Sequence, residues 1–374
     1  MQQDYRVDPY TVEGSVNYED LVKKFGIAQI DAKLKDRIKK DAGDLHFMIR
    51  RGIFFAQRDM NWLLDEYEKG NKFYVYTGIA PSGGMTIAHL LPFVMAQWLQ
   101  EKFDADVLIE IPGEEKFLSG KDPKLTLEKV QELAYADALN IAALGFKPAK
   151  TKMFLTTEYA GVLYKQAVRV SKYITFSIIK DAFGFDSDAN IGRIFYTSMQ
   201  AVPAFLKSVQ MGKNIPCIIP LGVDQDVHFR VARNAIDKLG YYKPAIMHST
   251  FLPSLKGGAK MSSSDPDNTI YIDDPKEVVA KKVNKAITGQ QSTAELQKKL
   301  GGDPAKCSVC QYNRYLFEPD DSKLAAIFDG ERKGTLLAGE HKKDLADKMN
   351  NFLDQHRKKK EGLKDRMDSF MLRD

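Results

Sequence analysis

Between Lys72 and Leu99 the chain carries the pattern that most restricts what it can fold into. KFYVYTG (72–78) reads as a short buried strand ending at Gly78, and the GIAPSGGMT that continues from that glycine has turn chemistry at Pro81, Gly83 and Gly84. Ile87, Leu90, Leu91, Val94, Met95, Trp98 and Leu99 then recur at the 3.6-residue period of one helix face. Thr86 is the natural N-cap of that helix. Strand, tight turn and helix in this order begin a parallel β/α crossover.

The rest of the first three quarters repeats the alternation. DVLIEI (106–111), TKMFLT (151–156), NIPCIIP (214–220) and KPAIMHS (243–249) read as strands. Helical patterns at 125–144, 159–182, 197–210 and 227–239 separate them. The expected fold is therefore α/β, with a Rossmann-like parallel sheet whose ligands bind beyond the carboxyl ends of the strands. After Ile272 the alternation stops. Asp274, Pro275 and Glu277 open a helix with Val279, Val283 and Ile287 on one face, and helices continue to the end. The expected divisions are an N-terminal extension at 1–70, a catalytic domain at 71–272, a helical domain at 273–360 and a short terminal helix at 361–374 that folds back. The extension includes short polar and apolar stretches such as Leu21–Phe25 and the helical-looking Met48–Leu64.

A chain of 374 residues exceeds one ordinary domain of roughly 100–200. Its 44% hydrophobic and 28% charged residues exclude collagen-like, disordered and disulfide-scaffold classes. No apolar run approaches the ~18 residues of a spanning helix, and MQQDYRVDPYTVEG lacks the basic and apolar regions of a secretion signal. Membrane insertion is not expected. Cys217, Cys307 and Cys310 are too few for a disulfide framework and fit a reducing, cytoplasmic setting. The net charge of +5 permits a polyanionic partner without demanding one.

Two segments have the makings of chemistry. His89 sits in the first turn of the striped helix, where free backbone N–H groups favour anions, although a histidine opposite an apolar stripe is ordinarily a solvated surface residue. Lys260-Met261-Ser262-Ser263-Ser264 follows Gly257 and Gly258, so one ammonium and three hydroxyls ride on a Gly-flanked loop suited to wrapping a triphosphate. Neither a P-loop nor a G-x-G-x-x-G fingerprint is present. Cys307-Ser-Val-Cys310 is a single C-x-x-C with no second pair or neighbouring histidine in sequence, so no metal site is expected from it. Lys281, Lys282, Lys285, Lys298 and Lys299 offer phosphate contacts, and Tyr312 and Tyr315 offer stacking surfaces.

Taken together, TIAH at 86–89 and KMSSS at 260–264 resemble the two signatures of class I aminoacyl-tRNA synthetases. VDPYTV, RRGIFFAQRDM, YTGIAPSG, VDQDVHFR, HSTFLPSL and KMSSSDP resemble segments of the eukaryotic-type tryptophanyl-tRNA synthetases over nearly the whole length. The resemblance implies ATP-dependent activation of L-tryptophan with Mg²⁺, transfer to tRNA(Trp), a homodimer, and a C-terminal α-helical anticodon-binding domain.

Site roles follow from the same resemblance. It places Thr86, His89, Lys260, Ser262, Ser263 and Ser264 at the catalytic phosphates, and ATP against Gly78, Ala80, Ala88, His89, Gly222, Asp224, Lys260 and Met261. Tryptophan is assigned to Tyr76, Glu110, Glu115, Gln200 and Gln225. Three positions depart from the pattern: Ala88 stands for Gly, Ile79 for Arg and Glu110 for Gln. A carboxylate at 110 still accepts a hydrogen bond from an indole N–H. Two other readings stay open from sequence: a homologue that binds RNA without aminoacylating it, and a tyrosyl enzyme.

Overall fold

The computed structural model describes residues 5–8, 11–14, 16–81, 83–120, 122–263 and 265–374. Tyr5–Asp8 (β1) and Thr11–Gly14 (β2) pair as an antiparallel ribbon. The central sheet is built from β3 (Ala28–Gln29), β4 (Phe54–Arg58), β5 (Tyr74–Gly78), β6 (Asp106–Ile111), β7 (Thr151–Leu155), β8 (Cys217–Gly222) and β9 (Ala245–Ser249), in the order β3-β4-β9-β8-β5-β6-β7. From β9 to β7 every pairing is parallel, whereas β4 joins β9 and β3 joins β4 antiparallel. The parallel sheet expected over the catalytic segment is present, and two antiparallel strands from residues 1–70 extend its edge.

Those two antiparallel strands correct the reading of residues 1–70 as an extension. The stretch Met48–Leu64 is not one helix: Phe47–Arg50 and Met60–Glu68 are helical, with β4 between them. Its apolar residues belong to the main core, where Leu34, Ile38, Met48, Ile49, Leu63 and Leu64 pack with the striped helix. Each such fully buried side chain contributes roughly 1.5–3 kcal/mol, far more than an appended segment could forgo.

The striped helix itself begins with a 3₁₀ turn, Ile87–His89, and continues as an α-helix from Leu90 to Phe103. It lies under β5 and β8 and is capped from outside by Ala32–Ala42. Phe93, Ala96 and Gln100, which fall off the sequence stripe, are therefore buried as well. Gln100 is satisfied by donating to Thr151 Oγ1 at 2.8 Å. The segments 159–182 and 197–210 each break into shorter helices, Ala160–Ser171 with Phe176–Phe183, and Ile191–Ala201 with Leu206–Met211.

After β9 the chain is helical from Lys276 to Glu361 apart from connecting loops, and its last helix, Ala338–Glu361, packs on Lys276–Asn284. The C-terminal residues return to the sheet. Met371 bridges Met153 at the β7 edge, Phe370 is fully buried, and the Asp374 carboxylate accepts from the backbone of Gly161 and Val162.

Candidate active site

Strand order reverses between β5 and β8, where the chain winds outward in opposite directions, so a crevice opens beyond Gly78 and Gly222. Gly78 is dictated by close approach. A Cβ there would lie 2.6 Å from the Glu110 carbonyl oxygen, which accepts from Ile79 N at 3.1 Å. That contact holds the start of the turn, Gly78 and Ile79, against the end of β6. Gly222 is similarly tight, since a Cβ would stand 2.8 Å from Asp224 Oδ1.

The floor of the crevice is polar and buried. Tyr76 on β5 donates its hydroxyl to Glu110 Oε2 and, at 3.3 Å, to the Gln200 carbonyl oxygen. Glu110 is 1% exposed, and burial raises its carboxyl well above the usual range, with Glu114 and Glu115 adding like charge and the Tyr76 hydroxyl opposing. Its second oxygen, Oε1, has no partner among the described residues, nor does Gln200 Oε1. Beside them the Tyr196 hydroxyl and both ring nitrogens of His228 are also buried without a partner. Burial pushes the His228 imidazole down to about 3, so it is neutral. Glu115, on the short helix Gly113–Ser119 after β6, lies 4.0 Å from Lys116 Nζ. Gln225 precedes by one turn Phe229, whose ring meets Tyr76 edge-on at 5.8 Å. Tyr76, Glu110 and Gln200 are thus in direct contact, while Gln225 and Glu115 are half-buried on the elements that follow β8 and β6.

The mouth is built from the two signature segments. The backbone N–H of Thr86 donates to His89 Nδ1 at 3.1 Å, a reciprocal cap that fixes the imidazole over the 3₁₀ turn. His89 is half-buried, and desolvation, aided by Lys260 and Lys116, lowers it to about 4. It is therefore neutral and not the solvated surface residue that its sequence position suggests. Thr86 bridges Tyr271, whose hydroxyl donates to Ser263 O at 2.8 Å, so the loop is stitched to the helix start. Ser262 O accepts from Thr269 Oγ1 at 2.7 Å, and Met261 is buried. Lys260 Nζ lies 5.1 Å above the Phe251 ring and pairs with Asp224. Ala80 and Ala88 line the turn half-buried, whereas Ile79 packs into the core. Ser264 lies outside the described residues.

Some groups escaped sequence reasoning. Arg58 on β4 grips Asp226 through two bonds, at 2.9 and 2.8 Å, and His248 on β9 meets Asp226 at 2.7 Å, both partners fully buried. This triad clamps the helix Asp226–Lys238, which Gln225 immediately precedes, to two strands. Only its position in RRGIFFAQRDM and VDQDVHFR hinted at it. Other expectations are corrected. Tyr312 is fully buried and Tyr315 is bonded to Thr250 at 2.8 Å, so neither offers a stacking face. Lys282 is tied to Asp274 and the Thr269 carbonyl and is not a free surface cation. The Cys307–Cys310 pair does have a histidine beside it: Glu331 and His341 converge on it from two other helices.

Comparison with known proteins agrees with this geometry. Residues 68–354 match the family of class I tRNA synthetases (W and Y). The chain belongs to that family. It is 44% identical over 367 residues, 98% of this chain and 94% of its relative, to a protein of Saccharolobus solfataricus named tryptophan--tRNA ligase. The Pyrococcus furiosus protein of the same name is 40% identical over 96% of this chain and 92% of its own. Among solved structures of the class I family, the Plasmodium falciparum tryptophanyl-tRNA synthetase superposes with a TM-score of 0.88 at 36% identity, covering 95% of this chain and 97% of that one. The Encephalitozoon cuniculi enzyme bound to tryptophan superposes at 0.87 and 32% identity, covering 96% and 98%. Among the described residues no helix is long and apolar enough to cross a membrane.

Proposed function

We propose that this synthetase activates L-tryptophan with ATP to tryptophanyl-adenylate and pyrophosphate, then transfers the tryptophan to tRNA(Trp). The observation that carries the choice of amino acid is the buried, unpartnered Oε1 of Glu110 beside Tyr76, a preformed acceptor for an indole N–H at the crevice floor. Gln200 Oε1, with the half-buried Gln225 and Glu115, offers acceptors for the substrate ammonium. The names of the full-length relatives point the same way.

The chemistry needs no protein nucleophile. A tryptophan carboxylate oxygen attacks the α-phosphorus of ATP, the bond to the bridging oxygen breaks, and pyrophosphate leaves with the electron pair. Catalysis is then positioning and stabilisation of charge. Gly78, Ala80 and Ala88 give the nucleotide a close-fitting wall, with Gly222 and Asp224 opposite it. Thr86, neutral His89 and the Ser262–Ser264 hydroxyls offer hydrogen bonds to the phosphates, and Lys260 supplies the positive charge. Mg²⁺ travels with the triphosphate in this reading and neutralises part of its charge. Asp224, already in the mouth, is the carboxylate that would reach it.

Tryptophan-dependent exchange of pyrophosphate into ATP tests this reading. Exchange with tryptophan alone supports it. Exchange with tyrosine overturns the substrate, and exchange with no amino acid favours an RNA-binding homologue.

Homodimerisation belongs to the same reading. Its support is the set of exposed apolar side chains on three successive helices, Val162, Tyr164, Val168, Phe176, Ile178 and Ile191. The helical region at 273–360 is proposed to hold the anticodon, and the cytoplasm is the compartment that keeps three buried cysteines free.

A further inference from the structure

Far along the chain from the signature segments, four groups of metal-ligating chemistry meet in the helical region. Cys307 caps the short helix Ser308–Tyr312, and its sulfur accepts from the backbone N–H of Cys310 at 3.4 Å. Glu331 comes from the last turn of Asp321–Lys333, and His341 from the first turn of Ala338–Glu361. Their ligand atoms lie within 4.8 Å of one another, and each of the four residues is at most 1% exposed.

Three polar atoms in this cluster lack a hydrogen bond from the protein. Glu331 Oε1 and both ring nitrogens of His341 have no hydrogen-bond partner among the described residues, although Nδ1 stands 3.3 Å from Glu331 Oε2. A carboxylate oxygen and an imidazole that meet only through this one imperfect contact in a dry interior cost free energy unless something fills the space between them. The other Glu331 oxygen is already oriented, since Gln290 Nε2 donates to it at 2.6 Å. Such an outer partner is what a carboxylate ligand requires.

The surrounding segment also lacks another source of stability. From Thr288 to Lys306 no Leu, Ile, Val, Met or aromatic side chain is buried, and the helix Ala294–Leu300 buries only the polar Gln297 while Leu296 and Leu300 are exposed. Backbone contacts there are too tight for a side chain at Gly301 or Gly334, which touch Arg332 and Gln297. A close-packed segment without an apolar core is ordinarily held by a disulfide or a metal. Cys307 and Cys310 are free thiols.

We propose that Cys307, Cys310, Glu331 and His341 form a closed, four-ligand structural site for Zn²⁺. Two sulfurs, one imidazole and one carboxylate match the donor preferences of this ion, and four protein ligands leave no open position for catalysis. A tetrahedral zinc site spaces its ligand atoms about 3.5 Å apart, so the observed cluster needs to contract by only about an ångström. Binding joins the C-x-x-C turn to the two helices that follow it. The turn in turn supports the catalytic loop, because Ser308 Oγ donates to Ser254 O at 3.2 Å and Ile287 N donates to Leu255 O at 2.8 Å, just before Gly257 and Lys260.

The test uses the full-length, untagged protein kept reduced and incubated with Zn²⁺, then dialysed and assayed for metal by mass spectrometry. The expected result is roughly one zinc per chain, released stoichiometrically when a mercurial titrates the thiols. Replacing Zn²⁺ with Co²⁺ should give the intense visible bands and the sulfur-to-cobalt charge-transfer absorption of tetrahedral thiolate ligation. Cys310→Ser and His341→Ala should each weaken zinc binding by at least about tenfold. Because these variants can fail to fold, the stoichiometry and cobalt spectrum of the wild-type chain decide the matter. Wild-type protein that holds less than about a tenth of a zinc per chain, or binds Co²⁺ without the charge-transfer band, overturns the proposal.

Discussion

Lys260 Nζ lies 2.5 Å from Asp224 Oδ2, so the positive charge of the KMSSS loop is held by a carboxylate that the nucleotide mouth itself provides. A side chain that leaves Asp224 for the triphosphate contributes most where charge develops, on the departing pyrophosphate. Lys260→Ala should therefore lower the single-turnover rate of adenylate formation by about 10²–10³ while shifting tryptophan affinity little. Rapid-quench measurement of activation beside a binding titration checks this. An unchanged rate would remove the loop from the mechanism.

Glu110 gives a prediction in both binding and pH. Glu110→Ala removes the acceptor and leaves the Tyr76 hydroxyl with only the longer bond to the Gln200 carbonyl, so tryptophan KM in exchange should rise at least about tenfold with ATP KM unmoved. Glu110→Gln keeps an acceptor and should largely preserve binding. The raised folded-state pKa also sets a sign. Above the usual carboxylate range the unfolded chain has released this proton while the folded chain retains it, so stability falls as pH rises. Glu110→Gln should flatten that decline in thermal melts between acidic and alkaline buffer, and melts with the same slope as wild type would place the charge cost elsewhere.

What the sequence made legible was local. The stripe from Ile87 to Leu99 and the turn before it needed one helix and one strand, and both signature segments stood out because Gly and Pro punctuate them. What the sequence concealed was long-range. Arg58, Asp226 and His248 meet from three elements, and nothing in the local pattern of FFAQR announces a strand that pairs antiparallel with residues almost two hundred positions away. His341 lies beside Cys307 only because three helices fold together. Tyr312 and Tyr315 looked like stacking surfaces because composition does not distinguish a buried ring from an exposed one.

The Arg58–Asp226–His248 cluster should govern acid stability. Burial alone would raise the Asp226 carboxyl, but its bonds to Arg58 and His248 outweigh that and hold it well below the usual range. The stabilisation is therefore present above the unfolded-state value and is lost as pH falls through the carboxylate range. Asp226→Asn should destabilise by about 3–5 kcal/mol near neutral pH, since it leaves Arg58 partly buried without its counter-charge. Urea unfolding at pH 7 and pH 2 should show the difference between variant and wild type shrinking in acid, because the loss begins only near the unfolded-state carboxylate value. A constant difference would assign the loss to packing.

The exposed apolar side chains Val162, Tyr164, Val168, Phe176, Ile178 and Ile191 should be covered by a second copy of the chain. Tyr164→Glu combined with Ile191→Glu places two carboxylates among them, and sedimentation should then report a monomer where wild type is a dimer. Because both side chains are exposed in the single chain, the far-ultraviolet spectrum should not change. A variant that remains dimeric would move the interface to another surface.

The helical region makes the last prediction, and the burial of its residues sharpens it. Lys282 is spent on Asp274 and the Thr269 carbonyl, whereas Lys281, Lys285, Lys298 and Lys299 are exposed on helices that follow the catalytic loop. RNA sequence is read at unpaired bases, and lysines add affinity that falls with salt. Charge reversal at Lys281 and Lys285 should therefore raise the KM for tRNA and reduce the salt dependence of tRNA binding by about one to two counter-ions. Pyrophosphate exchange with tryptophan should stay at the wild-type rate, because neither residue touches the crevice. Reversal at Lys282 should instead destabilise the fold, since Asp274 would then face a like charge in a half-buried site. Changing the anticodon of the tRNA should depress charging by wild type without touching activation. Charging that ignored both the anticodon change and the reversal at Lys281 and Lys285 would place tRNA recognition outside residues 273–360.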